Sequence, residues 1–227
     1  MIISDWISNN WVEIFGAVTG IVYVFLEIRQ TIWLWPVGII TSAVYIWVFF
    51  TSKFYADMSL QGYYLIISCF GWYWWAKGSW HGAQGKQNNE TEGEDKDGEK
   101  GRVEYGAKSE LQVTRLKLRT GVVLSIVFIL LYAVMWLVLT RLTDSPVPVR
   151  DSFITSLSIV ATWMLARKIY EHWYLWIVVN FVSAVLFLTR GLYPTVILYV
   201  VFGIMSFVGL AAWEKTIKTD LSSSKNE

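Results

Sequence analysis

Long uncharged apolar runs alternate along this chain with short polar stretches: Thr31–Ser52, Met58–Ala76, Thr120–Thr140, Trp173–Thr189 and Gly191–Trp213. About 20 apolar residues rising 1.5 Å each cross a bilayer, so each run predicts a transmembrane helix. A first span, about Trp11–Ile28, carries Glu13 and Glu27 near its ends, and a fifth, about Ser152–Arg167, is short but flanked by charge on both sides. One such run would fit the buried helix of a soluble protein. Seven in series, with few charges between them, predict an all-α integral membrane protein.

The pattern also repeats. Phe54-Tyr55 leads after a long apolar run to Trp75-Ala76-Lys77, and Leu192-Tyr193 leads at the same separation to Trp213-Glu214-Lys215. The offset is 138 residues, and Gly71 with Gly209 and Arg29 with Arg167 keep it. Trp35 and Ser42-Ala43 match Trp176 and Ser183-Ala184 at an offset of 141, which predicts a three-residue change in the connecting loops. Repeat one is residues 11–77 and repeat two 152–215; between them lie a polar stretch, 78–118, and one extra span, 119–141, with a tail at 216–227. Three helices end on the face opposite their start, so the linker helix must recross before repeat two begins. The expected layout is 3+1+3 with parallel repeats, which sugar transporters of the SWEET type share as a fold. Membrane chains built from two copies of one unit carry their site where the copies meet.

Charge orients the helices. Of 19 Lys and Arg residues, 15 fall in the odd-numbered connections and the tail and four (Lys53, Arg141, Arg150, Arg190) on the other side. Five of the 15 lie far from helix ends; without them the bias is still 10 to four, predicting an outside N-terminus and a cytoplasmic C-terminus. Residues 85–112 are charged, Gly-rich and poor in large apolar side chains, so they are expected to stay disordered, and Asn89-Glu90-Thr91 within them is a sequon on the cytoplasmic side. The N-terminus has no basic region or small-residue cleavage site, so no signal peptide is expected. The single Cys69 excludes an intrachain disulfide. A net charge of +1 gives no reason to expect a nucleic-acid partner.

The densest chemistry opens the sixth span. Trp173, Trp176 and Asn180 stand at i, i+3 and i+7 and share one helix face. Two indoles and an amide suit a flat heteroaromatic solute bearing an amide, and a cationic one gains about 0.5–2 kcal/mol from the indole faces. Interfacial anchoring is the competing account of each Trp, and a helix–helix hydrogen bond that of Asn180. Gln61 is the other mid-membrane amide; its counterpart is Tyr199, and symmetry would turn it to the same cavity. Tyr23, Tyr45 and Trp35 are weaker candidates. Pro36 and Gly38 read as the first turn of a helix, or else as a hinge. Glu27 and Asp57 sit near helix ends and His81 and His172 outside the spans, so no proton or sodium relay is expected, which favours uniport. No metal cluster, catalytic triad or phosphate loop is present, so neither a cofactor nor an enzyme is expected.

These residues carry a specific resemblance. Trp35-Pro36-Val37-Gly38, Phe54-Tyr55-Ala56-Asp57 with Gln61, Gly71-Trp72-Tyr73-Trp74, Trp173-x-x-Trp176 with Asn180, and Gly191-Leu192-Tyr193-Pro194 resemble the PnuC family of bacterial nicotinamide riboside transporters. The resemblance runs from about Trp11 to Trp213. It implies facilitated diffusion of nicotinamide riboside, a vitamin B3 form, across the inner membrane, trapping by a cytoplasmic nicotinamide riboside kinase, and a homotrimer. It assigns Trp173 and Trp176 as an aromatic wall and Asn180 and Gln61 as amide readers. Sister carriers of thiamine or riboflavin stay open, since thiamine is also a flat aromatic cation. So does a membrane assembly protein whose tryptophans are all anchors. A retinal protein would need a lysine within Gly191–Trp213, and there is none.

Overall fold

The computed structural model describes residues 11–51, 55–91, 112–142, 147–189, 191 and 193–223. They form seven helices: α1 Trp11–Ile28, α2 Leu34–Thr51, α3 Tyr55–Thr91, α4 Leu118–Leu142, α5 Pro148–Ala166, α6 His172–Thr189 and α7 Tyr193–Ser223. Leu34–Thr51, Leu118–Arg141, His172–Thr189 and Tyr193–Thr219 are each long and apolar enough to cross a membrane, and Ile14–Ile28 is a shorter apolar helix. The all-α membrane architecture expected from the hydropathy is present. α5 is more polar because it turns Ser152, Ser156 and Ser158 into the protein interior.

The repeat is cleaner than the sequence suggested. Four inner helix ends stand 138 residues before their counterparts: Ile28 and Ala166, Leu34 and His172, Thr51 and Thr189, Tyr55 and Tyr193. The first turn of each repeat closes in the same way. Gln30 (φ 54°) and Lys168 (φ 50°) take the left-handed conformation. The next amide then reaches back five residues, Thr31 to the Leu26 carbonyl at 3.1 Å and Ile169 to Met164 at 2.9 Å, satisfying orphan carbonyls of each helix end.

The expected offset of 141 for the tryptophans is therefore corrected. The bare Cα of Gly71 lies under the six-membered ring of Trp35, and that of Gly209 under Trp173. Trp35 meets Trp75 edge-on (5.4 Å, 87°), as Trp173 meets Trp213 (5.8 Å, 85°). Trp35 is thus the twin of Trp173, no loop length changes, and Trp176 stands opposite Gly38. Only a glycine lets an indole lie this close to the neighbouring helix.

α2 packs on α3 and α6 on α7, while α1 packs on α7 and α3 on α5, so each repeat grips the first helix of the other. Trp75 Nε1 donates to the Ala166 carbonyl and Trp213 Nε1 to that of Glu27, both at 3.2 Å. α4 packs on α5 alone among the described helices, with Val122, Ile126, Ile129 and Leu130 on its exposed side.

Two parts of the polar stretch 78–118, expected to be a disordered loop, have structure. α3 continues to Thr91, past Gly85. Before α4, the Thr114 amide donates to Lys168 O and the Tyr170 amide to Thr114 O, both at 2.9 Å, and the Leu116 amide donates to Glu171 Oε2 at 2.7 Å. Backbone pairing, which composition does not reveal, fixes this strap beneath the α5–α6 turn. Residues 92–111 lie outside the described residues.

Candidate functional site between the repeats

A cavity of about 400 Å³ lies on the pseudo-twofold axis, within the range of about 300–1,000 Å³ common for small-molecule sites. Its wall is built from twin positions of the two repeats. Gly38 faces it with Trp176, Ser42 with Asn180, Gln61 with Tyr199, Tyr64 with Phe202, and Ser68 with Ser206. Where the twins differ, repeat one gives the small residue on the second helix and repeat two the large or amide-bearing one. The chemistry is concentrated on α6 because the symmetry is broken there.

Five of the seven sequence candidates meet at this cavity: Trp173, Trp176, Asn180, Gln61 and Tyr23. Trp35 does not. It is fully buried in the α2–α3 contact and does not reach the cavity. Tyr45 packs its hydroxyl against Gly16 and stacks on Phe49 (5.7 Å, 27°), behind the wall. Trp173 is 1% exposed and is partly a packing residue, as its twin predicts.

Asn180 serves the helix contact and the cavity together. Its Nδ2 donates to Ser206 Oγ at 3.1 Å, and Ser206 Oγ donates to the Phe202 carbonyl at 2.8 Å. That fixes the amide's rotamer. A second N–H and the carbonyl oxygen remain for a ligand. The Gln61 side chain makes no hydrogen bond among the described residues and is half-buried on the cavity wall. The Trp176 indole N–H and the Thr41 hydroxyl, both on the wall, likewise have no partner among the described residues. Buried polar atoms without partners are uncommon, and those facing a cavity are served by water or ligand.

Sequence reasoning missed Glu27 and His172. His172, expected outside the spans, is the first residue of α6 and fully buried; Glu27, expected merely near a helix end, is 2% exposed and reaches the cavity wall. The His172 Nε2 lies 3.0 Å from Glu27 Oε1. The His172 ring also packs against Trp173 and Trp213, each at 4.7 Å. Apart from tyrosines, Glu27 is the one ionisable side chain on the wall; no Lys or Arg reaches it among the described residues.

Residues 10–215 match the family described as nicotinamide mononucleotide transporter, nearly the whole chain. The chain belongs to this family. It is similar to the nicotinamide riboside transporter PnuC of Escherichia coli K12, with 26% identity over 90% of this chain and 85% of the relative. The nicotinamide riboside transporter PnuC of Neisseria mucosa is 29% identical over 92% of this chain and 74% of its own length. The riboflavin/roseoflavin transporter RibM of Streptomyces davaonensis is 23% identical over 89% and 84%. Among solved structures, the crystal structure of the vitamin B3 transporter PnuC superposes with a TM-score of 0.67 and 24% identity, covering 96% of this chain and 86% of that one. The membership makes the chain a membrane transporter of the PnuC family, and the structural likeness supports its fold.

Proposed function

We propose that the chain carries nicotinamide riboside, a vitamin and NAD precursor, through this cavity by facilitated diffusion across a bacterial inner membrane. The observation that carries the reading is the wall itself: the Trp176 ring and two amides, Asn180 and Gln61, around one cavity of small-molecule size. A pyridinium stacks on an indole with a gain of about 0.5–2 kcal/mol. Its carboxamide is both donor and acceptor and pairs with side-chain amides.

The wall also favours riboside over mononucleotide. A phosphate is held best by cationic partners, and this wall offers a carboxylate and no Lys or Arg among the described residues. In this reading Trp173 and Trp176 form the aromatic wall, Asn180 and Gln61 read the amide, and Tyr23 borders the ribose. Capture by a cytoplasmic nicotinamide riboside kinase supplies direction. The subunits assemble as a trimer with one pathway each, the N-terminus outside and the C-terminus in the cytoplasm.

The likeness to RibM favours a second reading, riboflavin, which is flat, neutral and rich in hydrogen-bonding groups. Calorimetry with nicotinamide riboside, its mononucleotide, thiamine and riboflavin separates them. Selective binding of the riboside, lost in Asn180→Ala, is expected. Riboflavin binding alone would move the chain to the sister activity, and binding of none would overturn the reading.

A further inference from the structure

Glu27 and His172 lie 145 residues apart and join the two repeats. Their twins are Leu165 and Leu34, so the pair exists on one side of the pseudo-axis only. His172 Nδ1 stands 2.7 Å from the Ile169 carbonyl oxygen, which can only accept, so Nδ1 carries a hydrogen. Nε2 stands 3.0 Å from Glu27 Oε1, and that contact needs a hydrogen as well. Imidazolium with carboxylate, or imidazole with carboxylic acid, satisfies both; either way the pair holds one extra proton and no net charge. The wall's single carboxylate is thus neutralised by a proton.

We propose that Glu27 is the cation-recognising group of this cavity and that the His172 proton is its exchangeable counter-charge. The inference rests on the reading of the cavity as a site for a flat cation. A cationic ligand takes the imidazolium's place beside the carboxylate. One proton leaves His172 Nε2 for solvent, the ring keeps its Nδ1 hydrogen on Ile169, and the carboxylate turns from Nε2 into the cavity. Charge at the site balances: one cation binds and one proton is released. Near Glu27 stand the phenols of Tyr23 on its own helix and, next to that, Tyr64 of α3, while Arg29, two residues on, lies over the Phe25 ring at 4.7 Å. α7 presents the uncharged Trp213 indole, and its Glu214 and Lys218 pair with each other at 2.8 Å on the exposed side. Glu171 is turned to the Leu116 amide, and Lys168 lies over the Trp75 ring at 4.3 Å.

Proton release makes cation affinity rise with pH, by up to about tenfold per unit, and leaves a neutral ligand unaffected. The test is calorimetry on the purified full chain from about pH 5 to about pH 8, in buffers of differing ionisation enthalpy, with nicotinamide riboside, thiamine and riboflavin. The expected result is release of up to one proton with whichever cation binds and none with riboflavin. His172→Gln, which keeps a neutral donor near Glu27, should bind the cation with no proton release and a flat pH profile. Glu27→Gln should lose about tenfold or more of the cation's affinity and none of riboflavin's. A cation that binds wild type without releasing a proton overturns this inference and leaves the substrate reading standing. Failure of both cations to bind overturns both. Should Glu27→Gln not fold, the wild-type and His172→Gln series still decide.

Discussion

The twin glycines allow a controlled perturbation. A methyl group at Gly209 would overlap the six-membered ring of Trp173, and one at Gly71 would overlap Trp35 in the same way. Neither indole can simply move aside: Trp173 is held between His172 and Trp213, and Trp35 against Trp75. Overpacking of this kind costs about 1–3 kcal/mol. At about 2–4 °C per kcal/mol for a chain of this length, both Gly209→Ala and Gly71→Ala should unfold about 2–12 °C earlier. Their effects on ligand should differ. Trp173 borders the cavity and Trp35 does not, so only Gly209→Ala should weaken nicotinamide riboside binding, by about 2–30-fold if a stacking contact of about 0.5–2 kcal/mol is lost. Gly62, in α3 with open space where its Cβ would be, is the control; alanine there should stabilise by about 0.5–1 kcal/mol. The assay is thermal unfolding of each variant with calorimetric titration of the ligand. Equal losses of affinity in Gly71→Ala and Gly209→Ala would refute the separation of packing tryptophan from wall tryptophan.

Other outcomes follow from single contacts. Asn180→Ala removes one inter-helix hydrogen bond, and bonds of that kind average about 0.6 kcal/mol in membranes, so it should cost little stability yet at least about tenfold in riboside affinity; a large loss of stability with unchanged affinity would make Asn180 a packing residue. Thr114→Pro deletes the donor to Lys168 O and should lower stability by about 1 kcal/mol, read as an earlier unfolding midpoint; an unchanged midpoint would mean the strap does not hold the α5–α6 turn. Reporter fusions should place the C-terminus in the cytoplasm, following the charge bias, and a periplasmic signal would reverse the topology. Deletion within residues 92–111 should leave flux at wild-type level, since that stretch is almost all polar or glycine; lost flux at normal expression would show the loop takes part.

Hydropathy made the seven helices legible, because bilayer thickness imposes one length on every span. The repeat was legible too, but not its register on the second helix. Trp173-x-x-Trp176 offers two indoles for one Trp35, and side-chain identity alone cannot choose between them. Gly71 and Gly209 choose, since each marks the place where an indole comes close. The face shared by Trp173, Trp176 and Asn180 follows from helical spacing and holds in the structure. Glu27 with His172 was hidden for a physical reason. Each residue taken alone sits at a helix end, where charge is unexceptional, and only the packing of α1 and α6 on the same helix, α7, brings the two into contact in the interior. The constant offset of 138, applied to every polar residue, would have flagged both, since each stands opposite a leucine.

The constant offset bears on how one molecule finds one pose. A site made of two identical parallel halves presents every ligand with two equivalent orientations, and an unsymmetrical solute would lay its ring against either repeat with equal ease. Trp176 against Gly38, Asn180 against Ser42 and Gln61 against Tyr199 lift that degeneracy without adding or removing a residue. The duplicated scaffold supplies a passage whose two side walls look alike. A handful of unmatched side chains turns it into a lock with a single keyway.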